Sequence, residues 1–185
     1  MATKILKGLK RIKIFPINAN TSEVYTPGEA ISVPGAQSIG LDPEVSEWKI
    51  HADDTVYEAG SDWNGMKMTI QLAELPLELY PHFEGGEYDE ATKEYSYGSD
   101  DTAPEIGMSF AAQTSDGQYL MTRLLSLRAT KVKADFKTKG EGGDSSSPVT
   151  IEATVMTRKT DNKAKTHKYS TTSTDLSWLD VLVTV

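Results

Sequence analysis

Residues 66–72 read MKMTIQL, with apolar and polar residues in strict alternation. Successive side chains of an extended chain point to opposite faces. Met66, Met68, Ile70 and Leu72 therefore share one face, and Lys67, Thr69 and Gln71 share the other. A helix would scatter the same apolar residues around its axis, so the stretch predicts a strand with one buried face. The pattern recurs outward in both directions. Ile106, Met108, Phe110 and Ala112 repeat it. Val149, Ile151, Ala153 and Val155 do so again, opposite Thr150, Glu152, Thr154 and Met156. Val132, Ala134 and Phe136 alternate with Lys131, Lys133, Asp135 and Lys137, and Trp48, Ile50 and Ala52 oppose Glu47, Lys49 and His51. Residues 118–128 are apolar on both faces, which predicts a more central strand.

Turn chemistry separates these runs. Asp116-Gly117, within TSDGQ, predicts a hairpin between strands at 105–113 and 118–128. Asn64-Gly65 directly precedes the first strand and predicts a tight turn. The acidic stretch before it is then expected to be a loop between two strands. Residues 137–149, KTKGEGGDSSSPV, have the composition of a flexible loop, at about 138–147, closing a long hairpin. A further turn is expected near Asp161-Asn162, and the C-terminal LSWLDVLVTV has strand-like composition. One helix is expected in ELPLELYPHFEGG (74–86). Pro76 sits near a first turn, Leu77, Tyr80 and Phe83 lie on one side, Gly85-Gly86 is a stop, and Pro81 keeps it short or kinked. The result is roughly eight to ten strands with one helix, a mainly β sandwich or barrel with a small helical addition.

The chain of 185 residues is expected to form a single domain, 1–185. It has no cysteine, which excludes disulfides, thiolate catalysis and cysteine-based zinc sites. Lys4, Lys7, Lys10, Arg11 and Lys13 break every apolar run near the N-terminus. No signal-peptide core is expected there, and no stretch is long enough to read as a transmembrane helix. Net charge is −8, unevenly distributed. Residues 1–22 carry five bases and no acid, residues 23–116 twenty acids and three bases, and residues 117–185 eleven bases and seven acids. An acidic body opposes tight nucleic-acid binding, which needs cations to displace counterions. Segregated signs also let copies of one chain attract each other.

The search for chemistry finds no catalytic or cofactor-binding motif. His51, His82 and His167 are isolated from each other. Asp53, Asp54, Glu58 and Asp62 lack the order of an EF-hand loop, though a calcium site assembled in three dimensions stays an alternative. Neither a G-x-S-x-G nor a phosphate-loop motif occurs, and the GEGG at 140–143 reads as linker. Trp48, Trp63 and Trp178 lie in or beside strand patterns, where packing is the expected role. A chain of this kind favours binding or structure over catalysis.

Several segments, in order, resemble the major tail protein, or tail tube protein, of long non-contractile-tailed bacteriophages of Gram-positive hosts. They are ADD (Ala52–Asp54) then YE (Tyr57-Glu58), the alternating strand, LAELPLEL (Leu72–Leu79), APEIGMSF (Ala103–Phe110) and FKTKGE (Phe136–Glu141), and they span roughly residues 8–160. The resemblance implies a β-sandwich or barrel-like tail tube fold with a short flanking helix and extended loops or a hairpin reaching adjacent subunits. It implies hexameric rings stacked into a hollow tube, with no enzymatic activity and no cofactor. The tube would enclose a tape measure protein, meet tail terminator and distal tail proteins, and let DNA pass without sequence-specific contact or a membrane. The protein would be found in the virion tail, and in host cytoplasm during assembly. The additional C-terminal immunoglobulin-like domain of some relatives is not expected here. On this view Asp53, Asp54, Glu58 and Asp62 are candidates to face the lumen and repel phosphates. Lys139, Gly140, Glu141, Gly142, Gly143, Asp144, Ser145 and Ser146 are candidates for an inter-subunit loop. Two rivals remain. One is a carbohydrate-binding or host-adhesion β-sandwich of the same tail, and the other is a calcium-dependent polysaccharide-degrading β-fold.

Overall fold

A computed structural model describes residues 5–52, 54–136, 148–170, 172 and 175–183. The described chain is mainly β. Its elements in order are β1 (Leu6–Asn20), β2 (Tyr25–Pro27), β3 (Ile31–Val33), β4 (Ala36–Ala52), β5 (Thr55–Leu72), α1 (Tyr80–Glu84), β6 (Glu87–Asp89), β7 (Glu94–Ser96), β8 (Glu105–Thr114), β9 (Tyr119–Ala134), β10 (Val149–Met156) and β11 (Lys165–Tyr169). The main sheet is antiparallel in the order β2-β1-β8-β9-β10-β5-β4, with β3 along β1 and β11 along β9. The pair β6-β7 forms a small separate hairpin.

The MKMTIQL stretch is the C-terminal half of β5, held between β10 and β4, with Ile70 opposite Ile151 on one side and Ile39 on the other. Met66, Met68, Ile70 and Leu72 are buried, while Lys67, Thr69 and Gln71 are exposed. β9 occupies the middle of the sheet. Its Leu124 and Leu127 enter the main core, and its Leu125 enters a second cluster with Phe15, Tyr25 and Leu182, so both faces are covered. That is why residues 118–128 read as apolar on both sides.

The sheet curls until its ends meet. Ile12 of β1 and Val33 of β3 share the main core with Met66 and Met68 of β5, and Ile39 and Leu41 of β4 pack against it. Two residues, Pro34-Gly35, carry the chain from β3 at one end to β4 at the other. Gly35 has φ +74, and its carbonyl accepts a hydrogen bond from the Ala73 N–H at 2.7 Å. β1 and β4 do not pair, so the barrel-like sheet stays open along a seam between them. A 3-10 turn at Leu77–Leu79 runs into α1, and Leu75, Leu79 and Phe83 fill the core. Consecutive positive φ angles at Gly85 and Gly86 end the helix.

The structure corrects the C-terminal expectation. Residues 177–180 form a 3-10 turn, and residues 176–183 form a strap across the second face of β1, β8 and β9. Leu179 packs with Ala111, Tyr119 and Met121, and Leu182 packs with Phe15 and Leu125. Among the described residues the strap joins no ladder; the Leu179 N–H bonds the Leu176 carbonyl within the turn, and side chains of the body reach the carbonyls of Trp178, Leu179 and Val183. The Ser109 hydroxyl donates to the Leu179 carbonyl at 2.7 Å. Arg123 donates from Nε to the Trp178 carbonyl at 3.0 Å and stacks on that indole at 3.8 Å. Lys13 pairs with Asp180 at 2.5 Å. Gly107 leaves the space that Leu182 uses, since an added Cβ would collide with the Leu182 Cδ1. Gly107→Val is therefore expected to expel Leu182 and destabilise the fold by about 1–3 kcal/mol, read from the urea midpoint.

The predicted turn at Asp161-Asn162 is present. The Asn162 N–H donates to the Arg158 carbonyl, Asn162 has φ +55, and the Arg158 guanidinium clamps the Asp161 carboxylate at 2.6 and 2.9 Å. That guanidinium holds the Asp161 carboxyl far below the usual carboxylate range, aided by Lys163. A depressed native pKa gives stability that is complete above the unfolded value, about pH 4, and lost as pH falls below it. Replacing Asp161 with Asn should flatten the stability profile between about pH 4 and pH 2. An unchanged acid profile in urea titrations would show that the clamp does not set acid stability.

Candidate functional site: a projecting hairpin arm

β4 and β5 are 17 and 18 residues long, against a common strand length of about 5–6. Only their inner halves belong to the body. From Val45 to His51 and from Asp54 to Asn64 every residue except Gly60 is exposed, and burial begins at Gly65. The outer part is therefore a two-stranded arm with no core beneath it. It pairs from Val45 opposite Trp63 to Ala52 opposite Thr55, with one register shift between Ile50 and His51. The chain reverses at Asp54, which has φ +58.

This overturns two expectations. The acidic stretch before MKMTIQL is strand for most of its length. Asn64-Gly65 is a bulge inside β5, where the register shifts between Glu44 and Val45. Gly65 has φ +146, a conformation in which any Cβ is strained, so glycine at this site serves the bulge. The sequence signal for a strand was available in Thr55, Val56, Tyr57 and Trp63, all strong strand formers. The Asn-Gly dipeptide hid it.

Directly opposed residues project to the same side. One face of the arm carries Trp48 and Ile50 with Glu58 and Asp62. The other carries Val45, Val56 and Trp63 with Glu47 and Lys49, and Tyr57 is the extra residue at the register shift. Val45 is 53% exposed, Ile50 49%, Tyr57 77% and Trp63 43%. Trp48 lies across Gly60, where an added Cβ would come within 2.5 Å of its Cζ2. An isolated hairpin is marginal in water, and apolar side chains on both of its faces mark a surface made to be covered.

The structure places the candidate lumen residues on this arm. Asp54, Glu58 and Asp62 are exposed there, and Glu58 and Asp62 share one face. Asp53 lies outside the described residues, as do all eight positions of the candidate loop, Lys139 to Ser146. The strands flanking that loop, β9 and β10, do pair as a hairpin. Alternation assigns Phe136 to the apolar face of β9, but it lies past the end of that strand and is 90% exposed.

The histidines stay apart. His51 is exposed on the arm, His82 lies in α1, where burial lowers its pKa, and His167 Nδ1 meets Thr122 Oγ1 at 2.9 Å. Among the described residues no three His, Asp or Glu side chains gather as a metal site.

The seam between β1 and β4 was not legible in the sequence. It opens into a groove of about 440 Å³ lined by Leu9, Ile12, Val33 and Pro34 together with Lys10 and Arg11. β3 covers the outer edge of β1 only from Ile12 to Ile14, so the stretch before Ile12 has no strand on that side among the described residues.

No family model matches the chain, and no curated protein matches it. A solved structure described as "Crystal structure of Hcp protein" aligns over 87% of this chain and 99% of its own length, at 12% identity and a TM-score of 0.35. A likeness that distant carries no argument about fold or function.

Proposed function

We propose that this chain is a structural subunit that assembles with copies of itself into stacked hexameric rings forming the tube of a phage tail, a conduit for DNA entering the host. The observation that carries the reading is the arm. It reaches out from the body between Val45–Ala52 and Thr55–Trp63 and presents tryptophans, isoleucine and valines to solvent. A second copy is the partner that supplies the same contact repeatedly, and unlike surfaces meeting head to tail give rings where rotation closes and stacks where translation continues. The resemblance through Leu72–Leu79 and Ala103–Phe110 points the same way, and it maps onto the β5–α1 junction and the first half of β8. Virion location, the enclosed tape measure protein and the terminal tail partners belong to the same proposal. So does a non-enzymatic role. The net charge of −8 suits a wall past which phosphates slide.

The test is negative-stain microscopy of the purified chain at high concentration, with sulfate added to strengthen apolar association. Rings or tubes are the expected result. Dispersed monomers across the whole series would overturn the reading. Binding to a polysaccharide array without assembly would favour the adhesion alternative.

A further inference from the structure

The arm and the seam are opposite in charge, and both are unsatisfied within one chain. Residues 44–63 hold six acids and one base, whereas the first 22 residues hold five bases and no acid. Glu44, at the root of the arm, pairs with Lys67 at 2.5 Å. Glu47, Asp54, Glu58 and Asp62 form no ion pair among the described residues, and neither do Arg11, which lines the seam, and Lys7, four residues before it on β1. The other described bases of β1 are taken up within the chain. Lys13 is held by Asp180, and Lys10 reaches Tyr119.

We infer that the arm of one copy seats in the seam of the next, with the carboxylates of Glu58 and Asp62 facing Lys7 and Arg11. The inference rests on the self-assembly reading and names the surface on which that assembly turns. Four further observations carry it. Glu58 and Asp62 share their face of the arm with Trp48 and Ile50, so one face offers both the charge and the apolar anchors. The groove, lined by Leu9, Ile12, Val33 and Pro34 alongside Lys10, Arg11, Lys13 and Ser32, has a volume of about 440 Å³, within the range of about 300–1,000 Å³ of sites that take ring-bearing ligands. The outer edge of β1 before Ile12 and the outer edge of β4 both lack a strand among the described residues, so the incoming arm can add a strand where two edges stand open. A chain cannot serve itself. Ala36 lines its own seam, and Ile50 lies fourteen residues further along an extended strand, roughly 45 Å away. The contact is therefore between copies, and it is heterologous, so it repeats. It places Glu58 and Asp62 at a subunit boundary instead of the bore.

Charge reversal tests the pairing. The chain carrying Glu58→Lys and Asp62→Lys, and the chain carrying Lys7→Glu and Arg11→Glu, should each need about tenfold more protein to assemble, followed by sedimentation at low salt. The chain carrying all four substitutions restores opposite signs and should regain assembly. Circular dichroism confirms that each is folded. Because the native chain has no cysteine, a second measurement is direct. Ile50→Cys combined with Arg11→Cys should give an oxidised ladder of dimers, trimers and higher species on a non-reducing gel. If the native chain assembles while the reversed chains assemble equally well, the docking is wrong and the self-assembly reading stands. The docking is equally wrong if the fourfold variant is no better than either pair, or if the ladder is absent. If the native chain never assembles, both fail.

Discussion

Cutting back the arm, with residues 46–62 replaced by Asn-Gly, should leave a folded monomer that no longer assembles. No buried core residue lies in that interval, because the core of β5 begins at Met66 and β4 contributes through Ile39 and Leu41. Thermal unfolding should stay within a few degrees of the native chain, since surface changes away from the core move stability by about 0.5 kcal/mol or less. Association should respond very differently. Fully burying an apolar side chain is worth about 1.5–3 kcal/mol, and the cut removes Trp48, Ile50 and Val56. Even half of that sum, about 2–4.5 kcal/mol, weakens each contact by roughly fortyfold or more. Sedimentation velocity and circular dichroism on the same sample check both halves. Assembly of the shortened chain at native concentrations would deny the arm its role. Loss of the folded signal would show that the arm supports the body.

The second large effect concerns the fold itself. Ile70→Ala should destabilise the protein by about 2–5 kcal/mol, while Thr69→Ala, one residue away, should change it by about 0.5 kcal/mol or less. Ile70 is fully buried between β10 and β4, and its truncation leaves a cavity that flanking strands, fixed by their ladders, do not collapse to fill. Thr69 points to the opposite, exposed face. Against a total of about 5–15 kcal/mol, the first change removes a large share of stability. Urea unfolding of both variants measures the contrast. Equal midpoints would deny that these two neighbours face opposite sides of the sheet.

That alternation was legible because it is local. A buried face alternating with a wet one depends on the period of the strand and not on its partners, so MKMTIQL, the β8 run and the β10 run needed no knowledge of the neighbours. The Asp116-Gly117 hairpin was legible for the same reason: Gly117 has φ +84, and the turn chemistry sits within three residues. Half of the arm was legible, since Trp48, Ile50 and Ala52 alternate with Glu47, Lys49 and His51 and β4 runs through them; its return strand in β5 was not, because it is exposed on both faces and shows no buried period. The same Asn64-Gly65 dipeptide makes a turn or a bulge depending on whether a partner strand continues opposite it, and here Glu44 and Val45 do continue. The C-terminal strap misled by composition. Leu179 is buried against Ala111, Tyr119 and Met121 and Leu182 over Gly107, and nothing near them in the chain announces a neighbour some seventy residues away. The seam joins segments whose meeting depends on how far the sheet curls, and no sequence period encodes that curl.

The bulge at Gly65 fixes more than strand register. It lies where the buried half of β5 gives way to the exposed half, so the tilt of the whole projection is hinged on a backbone angle open to an achiral residue. One bare α-carbon thus governs where the far tip, at Asp54, is aimed, and a small rotation there is magnified along the lever from Trp63 to Thr55. In a stacked polymer, that aim would fix the pitch from one layer to the next.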